Sequence, residues 1–252
     1  MMDAATSRAT ARSQVYAFLA QAFAEPDAAS HAGLQAMLGA AEAALAVLDA
    51  AESRAAFAEV RAELERVDAS ERAAAHHRIF GHLVSGDCPP YESEYGNSHI
   101  FQKTHCLADH AGFLEAFGLA PAPGFADRLD HIAIELEFLH VLAAKEAYAL
   151  AHGHGEERLT IVREAARKYV QDHVGRWVPA FAVRLEAKAQ EGPYAALARL
   201  LAAFIAEETR ELGITPVAAS ALAPEPQPDD GTAGCEGCLT GAELGPAMRG
   251  EP

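Results

Sequence analysis

The residues best equipped for chemistry lie in one apolar stretch, Leu129-Asp-His-Ile-Ala-Ile-Glu-Leu-Glu-Phe-Leu-His-Val-Leu142. At about 100° per residue on a helix, Asp130 and Glu137 fall almost together, His131 and Glu135 form an i,i+4 pair on another side, and His140 stands apart. Apolar residues surround this helix instead of striping it, so it is expected to be buried on most sides. Polar groups there need partners or a solvated cleft. Two readings follow. The groups cap the helix and pair with neighbouring arginines, or Asp130 and His131, just after a Pro-Gly loop, stand at the rim of a binding cleft.

Glu137-Phe-Leu-His140 has the Glu-x-x-His spacing of metal ligands in di-iron bundles, which use two such motifs and two further glutamates. A second Glu-x-x-His does not occur, so a helical-bundle metalloenzyme built on Glu137 and His140 is the alternative reading and not the main one. His76, His77, His82, His99, His105 and His110 form no Cys/His set with accepted zinc spacing and read as surface or core histidines. Cys235-Glu-Gly-Cys238 has the spacing for metal or dithiol chemistry, yet it stands alone without the βαβ context of a thioredoxin-like site. P-loop, dinucleotide-binding and nucleophile-elbow motifs are absent. Neither a catalytic residue nor a metal or other cofactor is expected.

The elements that must position these residues are helical. Alanine dominates the first 215 positions, β-branched alternation is nearly absent, and apolar residues recur three and four apart. The periodicity predicts an all-α domain of about eight to nine helices. The first, over about 7–23, ends before Pro26, and Ser30 is a candidate cap for the second. The third carries Phe57, Val60 and Leu64, and the fourth Ile79, Phe80 and Leu83. Two prolines and two glycines make 85–98 a loop in mid-core sequence. Helices are expected again over about 99–117, 127–151, 156–173, 174–191 and 194–212. From 215 to 252 large apolar residues give way to proline and glycine, which predicts a disordered tail beyond a domain of 1–214.

With 252 residues, half of them hydrophobic, the chain can bury a sizeable core. Its formal charge of −16 repels phosphate backbones and anionic lipid heads, so nucleic-acid binding is not expected. A cationic partner, such as an arginine-bearing peptide, is the favoured one. Four cysteines are too few for a disulfide scaffold and fit a reducing cytoplasm. The N-terminal segment lacks the apolar core of a secretory signal and reads as mature protein. The stretch most like a membrane span, 195–206, is short and holds Arg199, so stable membrane insertion is not expected.

Taken together, Pro90-Tyr-Glu-Ser-Glu-Tyr95, the following Gly96-Asn-Ser-His-Ile-Phe-Gln-Lys103, and Asp130-His131 with Glu135-Leu-Glu-Phe138 resemble a known family. The chain is similar, over about 10–212, to the cytoplasmic TorD/DmsD/NarJ-type chaperones that assist maturation of molybdenum-cofactor oxidoreductases. The resemblance implies an all-helical protein without catalytic activity. Its partner would be the catalytic subunit of such an oxidoreductase, bound through a twin-arginine signal peptide or as the apo-enzyme and held until cofactor insertion. It would act as a monomer or homodimer. Tyr91, Glu92, Ser93, Tyr95, Asp130, His131 and Glu135 are the positions that match the client-binding motifs. One departure stands out: family members often place a proline one or two residues before the Asp-His pair, where this chain has Arg128 and Leu129.

Overall fold

Aspartates open three of the first four helices. Asp3 accepts the Thr6 amide at 2.7 Å and starts α1 (Ala4–Phe23). Asp27 and Asp68 form reciprocal capping boxes with Ser30 and Glu71 and start α2 (Ala28–Leu48) and α4 (Ala69–Phe80). Ser30 is thus the third residue of its helix and not the cap, because the box satisfies two amides where a lone serine satisfies one. Between them lies α3 (Ala51–Arg66).

The computed structural model describes residues 3–81, 87–96, 100–121 and 127–215. The expected tail, with Cys235 and Cys238, lies outside the described residues, as do Leu83, His82 and His99. After a short 3-10 turn, Glu92–Glu94, come α5 (Ile100–Ala116), α6 (Ile132–Ala151), α7 (Glu156–Tyr169), α8 (Gly175–Ala189) and α9 (Pro193–Glu211). The protein is all-α, and among the described residues the β pairing is one isolated bridge between Tyr91 and His131.

Two helices organise the core. α1 lies along α6 and α2, while α9 packs on α3 and α8. Phe18, Phe23, Phe57, Phe138, Trp177, Phe181 and Phe204 are buried between them. Edge-to-face contacts such as Phe18–Phe57, at 5.3 Å, fix their mutual orientation. By length and composition α2, with a mean hydropathy of 1.3 over its most apolar window, is the helix among the described residues that could cross a membrane, and not the 195–206 stretch. Its Leu34, Leu38, Leu45 and Leu48 instead point into the core.

The helices expected over 156–173 and 174–191 are joined in one rod, because α7 passes into α8 through a π-helical turn, Val170–Val174. Gly175 and Pro179 weaken the helical signal of the sequence there. The glycine is needed for another reason: a Cβ on it would come within 2.6 Å of the Val170 carbonyl oxygen. The wider turn re-aims the side chains around it, and it places His173 beside the loop that precedes α5.

Candidate functional site

The long helix expected from Asp127 begins at Ile132. His131 has extended backbone, with φ −76° and ψ 137°, and its Nδ1 accepts the Ala133 amide at 3.1 Å, so the imidazole caps α6. The extended backbone also pairs with the loop. The Glu92 amide donates to the Asp130 carbonyl and the Ile132 amide to the Pro90 carbonyl, each at 2.9 Å. These two bonds pin the Pro-Tyr-Glu-Ser-Glu-Tyr segment to the start of α6.

Side chains complete the attachment around a single guanidinium. Arg128 donates through Nε to Asp130 Oδ1 at 3.0 Å and through Nη2 to Oδ2 at 2.7 Å, the bidentate fork that arginine makes with carboxylates. Its Nη1 reaches Glu94 Oε1 at 2.8 Å, and Nη2 also reaches the Ser93 hydroxyl. The guanidinium carbon lies 4.3 Å from the centre of the Tyr91 ring, within cation–π range. Tyr91 in turn donates to Asp127 at 3.0 Å, and its ring meets the His131 ring 5.2 Å away. The Ser93 amide gives Asp130 a further bond at 3.1 Å.

Behind this surface layer lies a second polar cluster. Glu92 Oε2 accepts from His110 Nε2 and from His173 Nδ1, both at 2.8 Å. Burial pushes the Glu92 carboxyl up, but the hydrogen bonds from the two imidazoles outweigh it and hold the group down at about 2. Glu135 is fully buried and takes the Trp177 indole N–H on Oε2 at 3.0 Å. Burial, reinforced by the Glu92 charge, raises its pKa well above the usual carboxylate range. Burial lowers the pKa of His131, which agrees with a neutral ring whose Nδ1 accepts a hydrogen bond. Tyr95 is buried, donates to the Pro89 carbonyl at 3.0 Å, and rests its ring on Trp177.

The seven positions singled out in the sequence therefore converge. Tyr91, Glu92, Ser93, Tyr95, Asp130 and His131 share one hydrogen-bonded junction, and Glu135 lies one turn deeper. Their depth differs from expectation. Asp130 is 0% exposed and His131 8%, so the pair is inside the junction and not at an open rim. Pairing with the loop covers both, and the surface is formed by Asp127, Tyr91, Glu94 and Arg128. Arg128, Glu94 and Asp127 were missed by sequence reasoning, as were Cys106, His110, His173 and Tyr169. Arg128 was visible only as the residue standing in place of a proline. The Glu137 and His140 pair does not converge: Glu137 is exposed, while His140 Nδ1 turns to the Ser13 hydroxyl of α1 at 2.8 Å. A surface depression of about 780 Å³ between α3, α4 and the α8–α9 junction is lined by none of the motif residues.

Residues 20–183, most of the helical body and all of this junction, match the family model described as nitrate reductase delta subunit. The chain belongs to that family. Among its relatives, chaperone protein TorD of Photobacterium profundum is 31% identical over 115 residues, which cover 46% of this chain and 51% of that one. The selenate reductase assembly chaperone protein of Thauera selenatis is 38% identical over 91 residues, 33% of this chain and 45% of that one. The chain spans about half the length of the curated relatives it matches. A crystal structure of a candidate redox enzyme maturation protein from Archaeoglobus fulgidus aligns over 62% of this chain and 91% of its own, at 21% identity and a TM-score of 0.35.

Proposed function

We propose that this chain is a non-catalytic, cytoplasmic chaperone for the catalytic subunit of a molybdenum-cofactor oxidoreductase. It binds the client's twin-arginine signal peptide at the junction of the Tyr91–Tyr95 segment with Asp130 and His131, and keeps the apo-enzyme competent for cofactor insertion. Family membership supports the class, and the relatives named as chaperones support the absence of catalysis. The observation that carries the site is the seat around Arg128. Two carboxylates, a hydroxyl and an aromatic face converge there on one guanidinium, which is the chemistry a peptide arginine requires. A client arginine takes this seat by exchange with Arg128, drawn to it by the acidic body of the protein.

Fluorescence anisotropy with a labelled signal peptide tests the reading. An Arg-Arg peptide should bind at least about tenfold more tightly than Lys-Lys or Gln-Gln versions, since neither replacement forms the planar fork. Its affinity should fall as the screening length shrinks from about 10 Å at 0.1 M salt to 3 Å at 1 M. Equal affinity for the three peptides, unchanged by salt, overturns the proposal.

A further inference from the structure

The polar cluster beneath the junction contains more ligand chemistry than a scaffold needs. Glu92 from the loop, Cys106 and His110 from α5, and His173 from the π turn each direct one donor atom into a space where all four atoms lie within 4.8 Å of one another. Cys106 and His110 are four residues apart on one helix, so they share a face. The other two come from elements held there by costly local features. Glu92 sits beside the backbone bridge to Asp130, and His173 is aimed by a turn that only a glycine at 175 permits.

The surroundings of the histidines are those of metal ligands. A ligating imidazole usually gives its second ring N–H to a carboxylate, carbonyl or hydroxyl, which fixes the tautomer. His110 has Nε2 toward the cluster and Nδ1 against the Tyr169 hydroxyl at 2.8 Å. His173 has Nδ1 toward the cluster, and its buried Nε2 makes no hydrogen bond but lies 3.2 Å from Asp109 Oδ2, which a small turn of the ring would bring into line. Independently, Glu135, with no exposed surface, leaves Oε1 without a hydrogen-bond partner and aimed at the same place, 3.7 Å from His110 Nε2. A buried oxygen left this way is rare unless something else occupies the site.

We propose that Glu92, Cys106, His110 and His173 form a structural site for a divalent transition metal of the zinc type, which clamps the motif loop to α5 and to the α7–α8 rod. One thiolate, two imidazoles and one carboxylate make a closed four-ligand set suited to tetrahedral Zn²⁺, whose bonds of about 2.0–2.3 Å place ligands roughly 3.3–3.7 Å apart. To reach that spacing the two N···O separations of 2.8 Å open slightly, and the widest donor separation, at most 4.8 Å, closes by up to about 1 Å. On binding, the Cys106 thiol releases its proton to solvent. Each imidazole remains neutral and binds through the cluster-facing nitrogen, its proton moving to the nitrogen that faces Tyr169 or Asp109. Glu92 exchanges two hydrogen bonds for one metal bond. The site is independent of whether an arginine peptide binds above it.

The test uses the full chain without a polyhistidine tag, carrying Cys235→Ser and Cys238→Ser so that the second cysteine pair contributes nothing. Zn²⁺ titrated against this protein should bind at one equivalent, with proton release and a raised melting temperature. Co²⁺ should give the visible bands of a tetrahedral site and a thiolate charge-transfer band that Cys106→Ser removes. His173→Gln should weaken Zn²⁺ at least about a hundredfold, and Asp109→Asn, at a half-exposed position that leaves the fold intact, about tenfold. His105→Gln, an exposed histidine on α5, should change nothing. Absence of Zn²⁺ binding in the Cys235/Cys238 variant overturns the proposal, and so does binding that Cys106→Ser and Asp109→Asn leave unaltered.

Discussion

Arg128→Ala removes the guanidinium on which the junction closes. Asp130 then loses both bonds of the fork and retains the Ser93 amide at 3.1 Å, while its side chain stays fully buried. Breaking a buried ion pair by deleting one partner costs about 3–5 kcal/mol, because the remaining charge is left without compensation. Here the Arg128 side chain is 30% exposed, so water reaches the vacated space and reduces the loss to about 2–3 kcal/mol. For a chain of this length each kcal/mol moves the melting temperature by about 2–4 °C, which gives a fall of roughly 4–12 °C. Calorimetry and urea unfolding at pH 7 measure it. A double-mutant cycle with Asp130→Asn isolates the pair, and the coupling should be at least about 1.5 kcal/mol. Arg128→Lys keeps the charge without the fork and should recover less than half of the loss. A melting temperature within about 2 °C of the parent, or a coupling below about 0.5 kcal/mol, would refute the view that this fork holds the loop to α6.

The exchange of a client arginine with Arg128 predicts that Arg128→Gln, although less stable, binds an Arg-Arg signal peptide several-fold more tightly, because the internal competitor for the seat is gone; weaker binding in anisotropy would contradict it. A second expectation concerns pH. Burial, with Arg72 and His77 nearby, lowers His76 from 6.5 to about 4, so the unfolded chain takes up this proton first as the solution is acidified. Stability from this residue is complete above about pH 6.5 and is lost as pH falls toward 4, by about 2–3 kcal/mol. His76→Gln should remove that part of the acid sensitivity in pH-dependent melts, and an unchanged profile would count against it. Glycine substitutions test the π turn. Gly175→Ala, with Val170 O at 2.6 Å and Thr209 Cγ2 at 3.1 Å from the new methyl group, should destabilise by about 1–3 kcal/mol. Gly112→Ala, in open space on α5, should stabilise by up to about 1 kcal/mol, and denaturant unfolding that ranks the two the other way would overturn the close-approach argument.

What could be read from the chain follows from how each feature is encoded. Helices such as α1, α2 and α9 write themselves along the sequence through alanine and apolar spacing, so their existence and approximate ends are legible. The start of α6 is not, because a histidine caps it with its own ring, an uncommon device that looks like one more helical residue. The π turn is equally hidden, since one extra residue per turn leaves no mark on apolar periodicity over so short a span. The motif pairing of the loop with Asp130 and His131 was legible, whereas its depth depended on backbone bonds that no side-chain pattern records. The Glu92, Cys106, His110 and His173 cluster was invisible for a related reason. Its members belong to three separate elements, and spacing rules detect ligands only when they lie close together in sequence.

Arg128 shows how a departure from an expected residue can carry structural meaning. A proline at this hinge would hold the backbone extended through its ring and its effect on the preceding residue. In this chain the extended backbone at His131 and the bidentate fork from Arg128 to Asp130 hold the same entry into α6 by side-chain chemistry. The two devices differ in what can undo them. A pyrrolidine ring cannot be competed away, but a guanidinium held by two carboxylates can be replaced by another guanidinium of the same geometry. A hinge of this second kind is one that an arginine-bearing partner would open, at the place where the loop and α6 are joined.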